Sequence, residues 1–138
     1  MKYTIVTNNP AVKKEFNNVL FIDGTYEDVL IKVRDMVHQG VELISHPLGA
    51  SIRMLFSPYF SIIVGEKKDK FNDYHIETIE SSIINYRNVN EGRKTDMKNA
   101  HDYALIDAEL LKASLKAFEE NNNRLTKLFG GDSFETGA

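Results

Sequence analysis

The chain has 138 residues, enough for one ordinary domain and too few for two. Its 42% apolar and 27% charged residues suit a packed core and argue against wholesale disorder, and a net charge of −3 lacks the basic surplus of a nucleic-acid binder. The sequence has no cysteine, which removes disulfide frameworks, thiol nucleophiles, thiolate zinc sites and iron–sulfur ligation together.

No apolar run is long enough to span a membrane, and the opening Met1-Lys2-Tyr3-Thr4-Ile5-Val6 has no signal-peptide pattern, so a cytoplasmic location is expected. Residues 2–6 read as a first strand, through Tyr3, Ile5 and Val6. Asn9 then caps a short helix with Pro10 at its first position, and Val12 and Phe16 share one face of it. Val19-Leu20-Phe21-Ile22 is an apolar run closed by Asp23-Gly24, the pattern of a strand buried on both faces in a parallel sheet.

Thr25 caps the second helix, with Asp28 at the capping-box position. Tyr26, Val29, Leu30, Val33, Met36 and Val37 recur at helical spacing, and Gly40 is the stop. Residues 41–45 form a third strand and 59–64 a fourth. The connection between those two barely suffices for a parallel crossover, so the fourth strand can also run antiparallel. In that connection Arg53, Met54, Leu55 and Phe56 either extend into the core, the preferred reading, or form an exposed patch.

Asn72 or Asp73 caps a third helix carrying Ile76, Ile79, Ile83 and Tyr86; residues 88–99 are polar and read as a loop. A fifth strand is expected at 103–106, followed by Asp107 as the cap of a last helix over 108–129. The tail, 130–138, reads as disordered. The whole is expected to be a single three-layer α/β domain over 1–129, with a mostly parallel sheet of about five strands, Rossmann-like or flavodoxin-like, and a long C-terminal helix. On that helix Leu111, Leu115, Phe118, Asn122, Leu125 and Phe129 form a stripe. It either packs on the protein's own sheet, the preferred reading, or pairs with a second copy, where Asn122 would fix the register.

In an open α/β sheet, ligands gather beyond the carboxyl ends of the strands. Thr7-Asn8-Asn9, Asp23-Gly24, Ser45-His46-Pro47 and Gly65-Glu66 are expected there. The candidate ligand-binding residues are Thr7, Asn8, Asn9, Asp23, His46, Pro47, Gly49 and Ser51. Thr7, Asn8 and Asn9 either cap a helix or hold a small anion at its start. His46 either ends a strand at a turn or acts as an acid–base group, with Asp23 orienting it and Ser51 as a conceivable nucleophile. Neither Gly-x-Gly-x-x-Gly nor a P-loop occurs, which disfavours a dinucleotide or ATP site. His38, His46, His75 and His101 are scattered without a His-x-x-x-His pair, so no metal and no cofactor is expected.

Three blocks resemble the GrdX family: Thr4-Ile5-Val6-Thr7-Asn8-Asn9-Pro10, His46-Pro47-Leu48-Gly49-Ala50-Ser51 and Ser57-Pro58-Tyr59. Leu105-Ile106-Asp107-Ala108-Glu109-Leu110-Leu111 is similar to the family's C-terminal part. The chain departs from the family where Met54-Leu55-Phe56 replaces a polar, Pro-containing stretch. The resemblance implies an accessory role beside the glycine reductase system of anaerobic amino-acid-fermenting bacteria, and it carries no set of catalytic residues. The leading expectation is therefore a non-enzymatic accessory that binds a small anionic ligand or a reductase component. The alternatives are a small enzyme using His46 and a homodimeric interaction module built on the last helix.

Overall fold

The computed structural model describes residues 2–47 and 52–129. Gly49, Ser51 and the tail from 130 onward lie outside the described residues. The elements run β1 (Thr4–Thr7), α1 (Pro10–Glu15), β2 (Val19–Phe21), α2 (Tyr26–His38), β3 (Val41–Leu43), a 3-10 turn (Ile52–Phe56), β4 (Ser61–Lys67), α3 (Asp73–Asn90) and α4 (Ala100–Phe129).

The sheet has four strands in the order β2-β1-β4-β3. Only β1 and β2 are parallel; β4 runs antiparallel to both β1 and β3. This corrects the expectation of a mostly parallel, five-stranded, Rossmann-like sheet. The make-up of the connection before β4 is the physical reason. Among the described residues between β3 and β4 there is a 3-10 turn and no crossover helix, so the chain reverses instead of crossing over. Residues 103–106, expected as a fifth strand, lie inside α4, which begins at Ala100 and not at 108.

Apolar alternation on the strands builds a core on each face of the sheet. Val6, Ile62, Val64 and Leu43 meet Val29, Leu30 and Val33 of α2 and Ile79, Ile83 and Tyr86 of α3. Ile5 and Ile63 point the other way, onto Val12 of α1 and Ala108, Leu111 and Leu115 of α4. The stripe on α4 therefore packs on its own sheet at Leu111 and Leu115, and Phe118 meets Tyr3 edge to face at 6.0 Å. The side chains of Leu125 and Phe129 lie outside those described. Met54 and Leu55 are buried, so the apolar insertion before β4 is core and not an exposed patch.

Two signals in the sequence act as read. Thr25 and Asp28 form both halves of a capping box at the start of α2. Gly40 ends that helix at φ +96°, where a Cβ would stand 2.5 Å from the Lys68 carbonyl oxygen, so only glycine fits. No helix among the described residues is long and apolar enough to cross a membrane.

Candidate functional site

β1, β2 and β3 all run in one direction, since β4 opposes β1 and β3 and β1 is parallel to β2. Their carboxyl ends, and the start of β4, therefore share one end of the sheet. Thr7, Asp23 and His46 leave the sheet there, whereas Gly65 and Glu66, near the far end of β4, lie at the opposite end. The antiparallel course of β4 causes that exchange, which brings Phe60 and Ser61 to the rim instead.

At this end Thr7, Asn8 and Asn9 are buried and engaged. The Asn8 amide donates to the Gly24 carbonyl (3.0 Å) and the Pro58 carbonyl (2.8 Å), while its oxygen accepts from the Phe60 N–H (2.8 Å). Asn9 caps α1 by accepting from the Ala11 N–H (3.0 Å). Its amide reaches the other way, to the Ala104 carbonyl (2.9 Å) and to Asp107 Oδ2 (3.0 Å). Thr7 Oγ1 accepts from the Asn9 N–H (3.0 Å) and shares a 2.7 Å hydrogen bond with Ser61 Oγ. These three residues spend their polar atoms on joining β1 to β4, α1 and α4. Such work suits fixed architecture, and α1, with six residues, is too short to present an anion site at its start.

Asp23 and His46 are not brought together. Asp23 follows β2 and His46 follows β3, on opposite edges of the sheet with β1 and β4 between them. Three strand spacings of about 4.8 Å give roughly 14 Å across the sheet, beyond the reach of a shared proton. Both side chains are exposed, and Pro47 beside His46 is buried.

The residue that sequence reasoning missed is Asp107. Read as a helix cap, it lies instead within α4, with 5% of its surface exposed. Its Oδ2 accepts from Ser61 Oγ (2.7 Å) as well as from the Asn9 amide. Burial pushes its pKa above the ordinary carboxylate range, and the hydrogen bonds from Asn9 and Ser61 pull it part of the way back. The signal was present in the sequence: on a helix begun at Ala100, Asp107 falls on the same buried stripe as Ala108, Leu111 and Leu115. A carboxylate on an apolar face calls for a partner or a purpose.

Asp107 stands on the wall of a cavity of about 430 Å³, between α4 and the end of the sheet. Met54, Phe60, Leu110 and Leu111 supply apolar surface, and Ser45, Ser61, Ser114 and His46 supply polar groups. Tyr26 completes the wall from the first turn of α2. Its ring is stacked between Phe60 (4.4 Å) and Tyr86 (4.5 Å), which fixes where the hydroxyl lies. That hydroxyl is buried without a hydrogen-bond partner among the described residues. Burial pushes the phenol pKa far up, and repulsion from Tyr86 and Asp107 adds to the effect. Among the residues whose side chains are described, no lysine or arginine lines this cavity. Few polar groups converging on an apolar recess is the usual build of a small-molecule site.

The raised pKa of Asp107 has a measurable consequence. Between the unfolded carboxylate value and the higher native value, the native state holds the proton and the unfolded chain does not, so stability falls as pH rises through that window. Asp107→Asn keeps an oxygen for Asn9 and Ser61 but cannot ionise. Urea titrations from pH 4 to 7 are expected to show a smaller loss of stability with pH in the variant than in the wild type. Parallel pH profiles for the two proteins would show that Asp107 ionises normally in the fold.

No curated protein and no solved structure matches the chain. The family model described as GrdX-like protein matches residues 4–116, spanning all four described strands and α4 as far as Lys116, and the chain therefore belongs to the GrdX-like family.

Proposed function

We propose that this GrdX-like chain is a non-catalytic accessory that binds a small molecule in the cavity between α4 and the sheet end. One observation carries the reading: Asp107, a carboxylate 5% exposed, lines a largely apolar recess together with Tyr26, whose buried hydroxyl has no hydrogen-bond partner among the described residues. A buried polar group without a partner costs free energy, about 1–3 kcal/mol, and folds keep few such groups outside functional sites.

The resemblance to the GrdX family supplies the setting, accessory work beside a glycine-reductase-type system. The absence of cysteine is in keeping with a partner protein carrying any thiol or selenol chemistry. Binding is tested by two-dimensional NMR of ¹⁵N-labelled protein against mixtures of neutral, anionic and cationic fragments. Amide shifts clustered at Ser61, Asp107, Leu111 and Ser114 are the expected result. Unmoved amides at all four positions with every mixture would remove the proposed site.

A further inference from the structure

Helix α4 is longer than the surface it covers. It runs antiparallel to β1: Asp107 bonds to Ser61 at the carboxyl end of β1, and Phe118 meets Tyr3 just before the other end. Ala108, Leu111 and Leu115, between those points, are buried against the sheet. The helix nevertheless continues unbroken to Phe129. At about 1.5 Å per residue, that carries it about 16 Å past Phe118. Over residues 119–124 every position is exposed except Asn122, which is half-buried. A projecting segment of this length has little helical stability of its own and gains it from packing.

The sequence of the projection is patterned. Phe118, Asn122, Leu125 and Phe129 continue the spacing of Leu111 and Leu115, alternating three and four residues, as the a and d positions of a heptad do. Glu120, Asn123, Arg124 and Lys127 fall on the far side of the helix. The first half of the stripe thus serves the protein's own sheet, and the second half lies on the same side of the helix, past the sheet's end. We infer that this second half pairs with the same segment of a second copy, antiparallel, in a two-fold symmetric dimer. Sterics choose the direction. A partner helix on this stripe lies about 8–10 Å away, so a parallel one would carry its residues 108–115 into the space held by this chain's sheet. An antiparallel partner leads away from that space, and only the projections overlap. The layers then match about the two-fold axis, as an isologous contact requires. Phe118 meets the partner's Phe129, and Asn122 meets the partner's Leu125, each twice. Flanking positions set Glu119 beside the partner's Thr126 and Asn121 beside the partner's Leu128, so no like charges face each other. A seam of four layers with one polar residue from each chain makes a weak dimer.

Sedimentation equilibrium of the full chain between roughly 5 and 500 µM, the range suited to a small interface, tests the proposal. The mass should rise from 15.7 kDa toward twice that value. Leu125→Glu puts a carboxylate into two of the four layers and should weaken dimerisation by about tenfold or more. Asn122→Leu removes the polar group from the same two layers and should strengthen it by about tenfold or more, a gain that damage to the fold does not produce. Lys127→Gln, on the far side, should change nothing. The chain has no cysteine, so introduced ones report the direction. Asn122→Cys protein mixed with ¹⁵N-labelled Leu125→Cys protein should form a mixed disulfide in higher yield than either variant forms with itself, read by mass spectrometry. A mass that stays at 15.7 kDa throughout, or a dimer indifferent to both seam substitutions, would overturn the proposal. Asn122→Cys linking to itself more readily than to Leu125→Cys would overturn the antiparallel arrangement.

Discussion

Asn8→Ala is expected to cost about 3–5 kcal/mol, a large part of the roughly 5–15 kcal/mol that holds a domain of this size folded. Asn8 is 4% exposed and satisfies three backbone groups from two separate segments: Gly24 after β2, and Pro58 and Phe60 at the entry to β4. Alanine leaves all three without their side-chain partner, and the bonds to Pro58 and Phe60 are buried, where water does not easily replace it. Each buried group so abandoned costs about 1–3 kcal/mol. Asn8→Asp is a sharper version. The Phe60 N–H keeps its acceptor, but the Gly24 and Pro58 carbonyls then face a carboxylate in place of a donor. Burial and the two carbonyls raise the pKa of that introduced group, so the Asp variant should recover stability as pH falls below about 5, unlike the Ala variant. Urea denaturation at pH 4.5 and pH 7 distinguishes the two. Asn88→Ala, at an exposed position on α3, is the control and should lie within about 0.5 kcal/mol of wild type. A loss under 1 kcal/mol for Asn8→Ala would mean that the crossing between β1, β2 and β4 is held by something other than this amide.

The same asparagine shows what the sequence can and cannot convey. Thr7-Asn8-Asn9-Pro10 reads as a cap and a helix start, and Asn9 does cap α1. A cap is a local event, decided within four residues. The bonds from Asn8 to Pro58 and Phe60 span about fifty positions, and nothing in the local string encodes them. Strand and helix signals with local causes are legible in the same way: the capping box at Thr25, the stop at Gly40, the Asn72 cap of α3.

The errors have a common physical origin. Tyr103-Ala104-Leu105-Ile106 is a short apolar run, and such runs do not separate strand from buried helix by periodicity. Taken as a strand, it turned Asp107 into a cap and hid the carboxylate on the α4 stripe. Continued as a helix, positions 104, 107, 108, 111 and 115 fall on one face, and four of the five are apolar. The direction of β4 was open for a related reason. Loop length limits a crossover but does not choose between two permitted courses. Once β4 reverses, Ser61 replaces Gly65 at the end of the sheet that carries the cavity and comes into hydrogen-bonding range of Asp107. The candidate site thus depends on two non-local facts, and its His46 is the part that local sequence could reach.

Tyr26 is where ring packing and the cost of a buried hydroxyl can be separated by substitution. Tyr26→Ala removes a ring stacked on both faces, by Phe60 and Tyr86, and should cost about 3–5 kcal/mol. Tyr26→Phe keeps the stack and deletes only the hydroxyl, the one buried side-chain polar atom without a hydrogen-bond partner among the described residues. Deleting a buried hydroxyl that bonds to nothing relieves its desolvation, so the Phe variant should be as stable as wild type or more stable by up to about 1 kcal/mol. Few core changes that remove a polar group go in that direction. Calorimetric unfolding of both variants measures the two effects. If Tyr26→Phe loses more than 1 kcal/mol, the hydroxyl already has a partner in solution, an ordered water bridging it toward Asp107 being the simplest, and the recess is wet and satisfied before any ligand arrives.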